Sequence, residues 1–205
     1  EAILAPTVEE LNAYIASNHL DHPAIIGHSM GGLIGLMLAR AHPESVGRLM
    51  IADSLPFFGA LFGPNATPAA VAPQAAAMRG QIAEMSDADF AAQQNGGIAR
   101  LVRTLAQRQR VIDWSVASDR PFFAQAMYEV MTTDMRGEVA NVATPITVLY
   151  AYAPEMGPQA AIDGLYQSAY ASAPHARLVR IDGAFHFIML DQPAAFSAAV
   201  AEFLR

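Results

Sequence analysis

One stretch of the sequence decides the fold: Ala24-Ile25-Ile26-Gly27-His28-Ser29-Met30-Gly31-Gly32. It opens with a short apolar run, which is typical of a buried strand in a parallel sheet. The residues from Met30 to Ala41 are almost all apolar, which predicts a buried helix that ends before Pro43. Ser29 is therefore expected in a sharp turn between a strand and a helix.

The pattern Gly-x-Ser-x-Gly in this context is typical of a nucleophile. We expect Gly27 and Gly31, on either side of Ser29, to let neighbouring backbone approach and to leave the serine side chain exposed. The N-terminus of the next helix would stabilise a developing oxyanion, with the backbone N–H of Met30 as one donor. The alternative interpretation is a glycine-rich turn without chemistry, such as one phosphate-binding loop among many.

A serine nucleophile needs a base, and the chain has six histidines. His186 lies in the loop between the last predicted strand and the C-terminal helix. Functional loops of a parallel sheet leave the carboxyl ends of its strands, so we expect Ser29 and His186 at the same edge. His28 is next to the nucleophile, but its side chain is expected to point away from it. The remaining histidines are expected at the surface: His19, His22, His42 and His175.

The rest of the chain alternates between strands and helices. Further strands are predicted at 46–52, 146–150 and 176–181, and flanking helices at 7–18, 157–171 and 193–205. Helices without strand character are predicted in between, at 73–84, 87–94, 97–115 and 121–132. This order predicts an α/β fold with an open, mostly parallel sheet. We divide the chain into a core (1–54 and 140–205) and an inserted helical cap (55–139).

Composition excludes several classes of protein. The chain has no Cys, which excludes disulfides, thiolate metal sites and cysteine nucleophiles. It also has no Lys, which excludes Schiff-base enzymes, pyridoxal phosphate enzymes and Walker-type nucleotide loops. A net charge of −7 argues against nucleic-acid binding, and no apolar run is long enough to span a membrane. No metal and no organic cofactor are expected, and cytoplasm and periplasm both stay open.

These features resemble the α/β-hydrolase family, above all its lipases, esterases and C–C hydrolases. The motif at 27–32, the late His186 and the inserted helices carry the resemblance, which covers nearly the whole chain. Four strands and an oxyanion loop normally precede the elbow in that family, whereas one predicted helix precedes it here. The resemblance therefore implies the C-terminal part of a larger hydrolase, with an N-terminal segment or another chain completing the sheet. The second oxyanion donor would come from that missing part.

The resemblance leaves the triad acid open. In most family members the acid follows the strand after the cap, where Glu155 is the nearest carboxylate. In a minority it ends the strand that follows the elbow helix, where Asp53 stands. We prefer Asp53 and keep Glu155 as the alternative, against the plainer interpretations of a turn residue and a solvated carboxylate. Asp182 is expected to shape the loop of the histidine, and Asp191 to begin the turn into the last helix.

Substrate preference is predicted from the large apolar side chains of the cap. Most of them are expected to pack internally, and three are candidates to line an apolar pocket: Phe57, Phe58 and Met127. The predicted function is hydrolysis of esters of small, apolar substrates by Ser29 and His186 through an acyl-enzyme. A C–C hydrolase, a peptidase or a thioesterase on the same triad stays open, as does a non-catalytic binding protein of this fold.

Overall fold

A computed structural model describes residues 1–63 and 65–205. The strands of this part of the chain form one four-stranded sheet in the order β1-β2-β3-β4, and all neighbours are parallel. Their bounds are β1 Ala24–His28, β2 Arg48–Ala52, β3 Ile146–Tyr152 and β4 Ala176–Asp182. The predicted α/β fold with a parallel sheet is confirmed.

Helices connect the strands. They are α1 Leu4–Ser17, α2 Met30–Ala41, α3 Pro68–Glu84, α4 Asp87–Ile98, α5 Leu105–Ala117, α6 Arg120–Thr132, α7 Gln159–Ala169, α8 Ile188–Asp191 and α9 Pro193–Phe203. Four of them, α3 to α6, lie between β2 and β3, in the segment predicted as a cap. The boundaries drawn at 54 and 140 stay a prediction. Over the described ranges, no helix has both the length and the apolarity to cross a bilayer.

The strand register brings the carboxyl ends of the strands together. His28 pairs with Ala52 in β2, and Ala52 pairs with Leu149 in β3. At the far side, Tyr152 of β3 pairs with Asp182, the last residue of β4. The turns that follow β1, β2 and β4 therefore leave one edge of the sheet.

The core lies on both faces of the two central strands. Residues Leu49 to Ala52 of β2 are fully buried. On one face Leu49 and Ile51 pack with α1, α2 and Tyr166 of α7, and on the other Met50 packs with β4 and α9. β1 lies at the end of the described sheet, where Ile26 is 42% exposed.

The N-terminal helix begins earlier than the sequence predicts. The prediction placed its start at Thr7, but α1 begins at Leu4, and the Thr7 hydroxyl donates to the carbonyl of Ile3 at 2.8 Å. The N-terminal cap comes from α6, where the Glu129 carboxylate accepts the N–H groups of Ile3 and Leu4 at 2.8–3.0 Å. The prediction failed because the capping residue is 125 positions away in the sequence.

The prediction of one continuous helix over 97–115 is also wrong. The structure ends α4 at Ile98 and begins α5 at Leu105. The backbone between them turns inward at the fully buried Val102. The next two backbone N–H groups, those of Arg103 and Thr104, donate hydrogen bonds to the carboxylate of Asp191, which lies outside the segment predicted as a cap. By contrast, α4 begins at Asp87, as predicted.

Candidate active site

Ser29 stands in a strained turn between β1 and α2. Its φ of 54° and ψ of −120° lie in a region that residues with a Cβ rarely adopt, and such strain is typical of functional sites. The turn is fixed on both sides, since the Ser29 N–H donates to Ala52 at 3.0 Å and its carbonyl accepts the N–H of Gly32 at 2.9 Å. Met30 opens α2, so its N–H is one of the donors that a helix start leaves without a helical partner.

Two glycines, Gly27 and Gly32, make this turn sterically feasible, and only Gly27 was predicted to do so. A Cβ on Gly27 would overlap the carbonyl of Gly31. One on Gly32 would lie 2.8 Å from the Cβ of Ser54 and 2.9 Å from Ile51 Cγ2. Apart from its chain neighbours and the backbone of its own helix, no heavy atom of the described residues lies within 4 Å of a Cβ built on Gly31, so the expected close approach there is wrong. The second close approach is between α2 and β2.

The structure brings Asp53 and His186 together. The Nδ1 of His186 lies 2.8 Å from Oδ2 of Asp53, a residue that directly follows β2 and is 8% exposed. A carboxylate only accepts, so Nδ1 carries the proton and, in the neutral ring, Nε2 is the basic nitrogen. This is the orientation that a serine base requires.

Two further donors hold the Asp53 carboxylate. Its Oδ1 accepts the backbone N–H of Ala151 and the hydroxyl of Tyr166, both at 2.9 Å. Burial, and then the Asp53 charge, raise the pKa of Tyr166 far above its usual value, so its hydroxyl stays protonated and donates. Directly after the end of α7, the Tyr170 hydroxyl donates to the carbonyl of Ser54 at 2.9 Å. Sequence reasoning missed both tyrosines, whose i, i+4 spacing was the available signal.

The alternative acid lies in a different environment. Glu155 is exposed and forms an ion pair with Arg103 at 3.0 Å. Asp182 is also exposed and pairs with Arg180 at 2.7 Å. The carboxylate that contacts His186 is therefore that of Asp53. Its role as the triad acid stays a prediction.

Asp191 joins the histidine loop to the inserted helices, in the segment predicted as a cap. It was expected to begin a turn, but it ends α8, is 9% exposed, and accepts three backbone N–H groups at 2.8–3.0 Å. One comes from Phe185, which precedes His186, and the others come from the junction of α4 and α5. Burial works to raise the pKa of Asp191, but these donors outweigh it and hold the pKa below its ordinary value.

His28 also contacts the predicted base, a contact that the sequence did not predict. Its ring centroid lies 4.6 Å from that of His186, and its Nε2 lies 2.9 Å from the His186 carbonyl oxygen. The expectation that this side chain points away from Ser29 stays a prediction. The strand β1 thus supplies both Ser29, at its end, and a contact to the base loop.

The hydroxyl of Ser29 and His186 are not hydrogen-bonded in the part of the chain that the structure describes. Such bonds are often long before a substrate binds and tighten in the reacting complex. Metal-binding clusters of three or more His, Asp or Glu side chains are likewise absent from the described ranges.

The three predicted substrate-binding residues lie in different surroundings. Phe57 is 1% exposed, lies 4.3 Å from the guanidinium of Arg136, and lines a cavity of about 480 Å³ that also borders α7. Neither Ser29 nor His186 lines that cavity. Phe58 packs against the core under α1 and α2, and Met127 is half-buried in α6. Their role in substrate binding stays a prediction.

Comparison with known proteins identifies the fold and its relatives. A family model described as "Alpha/beta hydrolase family" matches residues 3–199. A pimeloyl-[acyl-carrier protein] methyl ester esterase of Aromatoleum aromaticum is 27% identical over 98% of this chain and 81% of its own. The enzyme of that name from Salmonella newport is also 27% identical, over 96% of this chain and 75% of its own. The crystal structure of a hydrolase from Pseudomonas aeruginosa has a TM-score of 0.75 at 24% identity, covering 99% of this chain and 72% of that one.

Proposed function

Because the chain belongs to the alpha/beta hydrolase family, we propose that it is a serine hydrolase that cleaves carboxylic esters through an acyl-enzyme. The observation that carries this proposal is the hydrogen bond between His186 Nδ1 and the buried Asp53, at the sheet edge where Ser29 stands in its strained turn. An Asp–His pair with a free Nε2 can activate a serine hydroxyl.

The chemistry proceeds in two halves. Ser29 Oγ attacks the ester carbonyl carbon while His186 Nε2 takes the hydroxyl proton, and Asp53 stabilises the imidazolium that forms. The tetrahedral intermediate collapses to an acyl-enzyme as the alcohol leaves with that proton. Water, deprotonated by His186, then attacks the acyl carbon, and the acid leaves as Ser29 regains its proton. The N–H of Met30 supplies one donor to the oxyanion in each half.

The substrate proposed is a small ester with an apolar acyl or alcohol group. Support comes from the apolar side chains of the cap and from relatives whose names describe methyl ester hydrolysis. A panel of p-nitrophenyl esters of increasing acyl length tests it. We expect kcat/KM to rise with acyl length and a pre-steady-state burst of about one p-nitrophenol per molecule from the acyl-enzyme.

Controls separate this reaction from background hydrolysis. The variant Ser29→Ala should show no burst, whereas Ser197→Ala, on the exposed face of α9, should retain the wild-type burst. A burst that survives Ser29→Ala would contradict the proposed nucleophile. Turnover of amide, thioester or C–C substrates in place of oxygen esters would instead move the proposal to another bond on the same triad.

A second candidate substrate is an ester attached to an acidic carrier protein. Four of the 12 basic residues of this acidic chain fall within eleven positions around the junction of α4 and α5: Arg100, Arg103, Arg108 and Arg110. This junction bonds directly to the base loop, since the Phe187 N–H donates to Leu101 at 3.1 Å. The relatives named above are described as acting on a carrier-linked ester.

Comparing free and carrier-linked methyl esters of the same acid tests this candidate. A carrier contact predicts a higher kcat/KM for the linked ester, and an advantage that falls as salt is raised, because exposed charges are screened. Equal kcat/KM for the two esters at low salt would eliminate the carrier as a specificity element.

A further inference from the structure

His28 is the residue of β1 that links the nucleophile strand to the loop of the base. It directly precedes Ser29, and its Nε2 lies 2.9 Å from the backbone carbonyl oxygen of His186. Its ring packs against those of His186 and Phe187, with centroid distances of 4.6 and 4.8 Å, and those two rings also contact each other at 5.5 Å. One side chain thus contacts both the backbone and the ring of the predicted base.

The partner atom determines the tautomer of His28. A carbonyl oxygen only accepts, so the 2.9 Å contact requires a proton on Nε2. An imidazole that donates through Nε2 can be neutral, with a bare Nδ1, or doubly protonated. The surroundings decide between these two forms.

The surroundings favour the neutral ring. Burial, and then the neighbouring His186, lower the pKa of His28 to about 4, although the bond to the His186 carbonyl and the charge of Asp53 act in the opposite direction. His28 therefore does not compete for the proton that His186 receives during turnover. It also adds no positive charge 4.6 Å from the imidazolium that forms.

We propose that His28 is a positioning residue that fixes the base loop to the nucleophile strand, by donating from Nε2 of its neutral ring to the carbonyl of His186. This proposal rests on the proposed function of Ser29 and His186. Its physical basis is that a base displaced by about 1 Å from a reactive hydroxyl loses much of its effect on the rate. Asp53 orients the ring of His186, whereas His28 holds its backbone.

Two substitutions separate the hydrogen bond from the packing. The variant His28→Phe keeps an aromatic ring against His186 and Phe187 but removes the donor. The variant His28→Gln restores an N–H donor near the position of Nε2. We expect His28→Phe to lower kcat by about 10- to 100-fold with KM within about threefold, and His28→Gln to recover most of that loss.

The matched control is His22→Phe, the same exchange of an imidazole for a phenyl ring at an exposed histidine outside the site. It should keep a kcat close to that of the wild type. The positioning role is overturned if folded His28→Phe has wild-type kcat, if His28→Gln is as slow as His28→Phe, or if His22→Phe shows the same loss. A wild type that neither turns over esters nor reacts at Ser29 would instead remove the proposed function itself.

A measurement on the wild type is independent of turnover and of how the variants fold. Two-bond ¹H–¹⁵N NMR correlations report the protonated nitrogen of each imidazole ring. The groups that bear on His28 are His186 and Asp53. We expect His28 to be neutral at pH 7 with its proton on Nε2, and to titrate well below the ordinary histidine range. A ring protonated on Nδ1 alone, or charged at pH 7, would overturn the proposal.

Discussion

Asp53 accepts three hydrogen bonds with two carboxylate oxygens. Oδ2 faces His186, while Oδ1 is held by Ala151 and Tyr166. A buried carboxylate is tolerated only when its charge is satisfied in this way. Because the two donors to Oδ1 come from β3 and α7, the carboxylate is oriented by the core rather than by its own turn.

Replacing each candidate acid by its amide shows which of the two serves as the triad acid. We expect Asp53→Asn to lower kcat by about four orders of magnitude, as loss of the triad carboxylate does in serine proteases. Its amide would favour the wrong histidine tautomer. Glu155→Gln removes only an exposed ion pair and should leave kcat within about twofold of the wild type. Steady-state kinetics on one ester checks both, and comparable small losses from the two variants would mean that neither residue is the acid.

The residues of the site differ in how far sequence could predict them. Ser29 was predictable because local backbone geometry requires its glycine neighbours, and His186 because it follows the last strand. Asp53 was one of two options, since a strand end is also a common place for a turn residue. His28 and Tyr166 were missed because their contacts cross from one element to another, over 158 and 113 positions.

At the scale of elements, α1 is held at its start by α6. The Glu129 carboxylate accepts two N–H groups of the first turn, where the helix dipole also favours a negative charge. It in turn accepts from the side chain of Gln125 at 2.7 Å. The inserted helices, through α6, therefore stabilise α1, a helix of the core.

Substituting Glu129 tests its role as the N-terminal cap of α1. Glu129→Gln removes the charge and leaves one side-chain acceptor, so we expect the free energy of unfolding to fall by about 1 kcal/mol. The matched control is Glu138→Gln, which breaks an exposed pair with Arg40 and should cost less than about 0.5 kcal/mol. Urea unfolding measures both, and equal effects would mean that the cap adds nothing beyond a surface charge.

Asp191 links two elements through backbone N–H groups. In Asp191→Asn one carboxylate oxygen becomes an NH2 group that cannot accept, so at least one of the three N–H groups loses its acceptor and the others lose a charged one. We therefore expect the free energy of unfolding to fall by about 2–3 kcal/mol. Asp182→Asn, which removes an exposed partner of Arg180, should change it by less than about 0.5 kcal/mol. Chemical denaturation at pH 7 checks the pair, and a wild-type stability for Asp191→Asn would contradict the linking role.

The Asp191 carboxylate also makes the free energy of unfolding depend on pH. Its folded pKa lies below the ordinary value of about 3.9, so the unfolded chain binds this proton more tightly. The contribution of ionised Asp191 to stability is fully present above its pKa in the unfolded chain. It is lost as the pH falls through its lower pKa in the folded protein. We therefore expect wild-type stability to fall more steeply than that of Asp191→Asn on acidification below about pH 5.

Element boundaries were predictable where local signals decide them. The helix predicted from residue 87 begins there, because the Ser86 hydroxyl accepts the N–H of Asp89 and caps α4. The end of α4 at Ile98 was not predictable, since the chain there leaves the helix to reach Asp191, some 90 positions away. Tertiary hydrogen bonds overrode local helix propensity at that point.

At the scale of the molecule, the base loop lies between the sheet and the helices inserted into it. β2 and β3 are paired on both sides and buried, whereas α4 and α5 form a small separate cluster that contacts Phe187 and Leu190. Few buried contacts mean a low free energy of local opening. The inserted helices are thus expected to open more readily than the sheet.

Native-state hydrogen exchange tests this difference. Amides of α5 should exchange through local opening, and faster than those at Leu49–Ala52 in β2, which should exchange only on global unfolding. Mass spectrometry of exchanged peptides resolves the two segments. Equal protection of α5 and β2 would mean that the inserted helices and the sheet unfold as one unit.

The central claim, that Ser29 is a nucleophile activated by His186 and Asp53, is tested most directly by covalent labelling with a fluorophosphonate. Intact mass and peptide mapping should show one adduct per molecule, on Ser29 and not on Ser54, which is 1% exposed. The adduct should be absent in Ser29→Ala and form far more slowly in Asp53→Asn. A folded protein that stays unlabelled, or that is labelled at another serine, would contradict the claim.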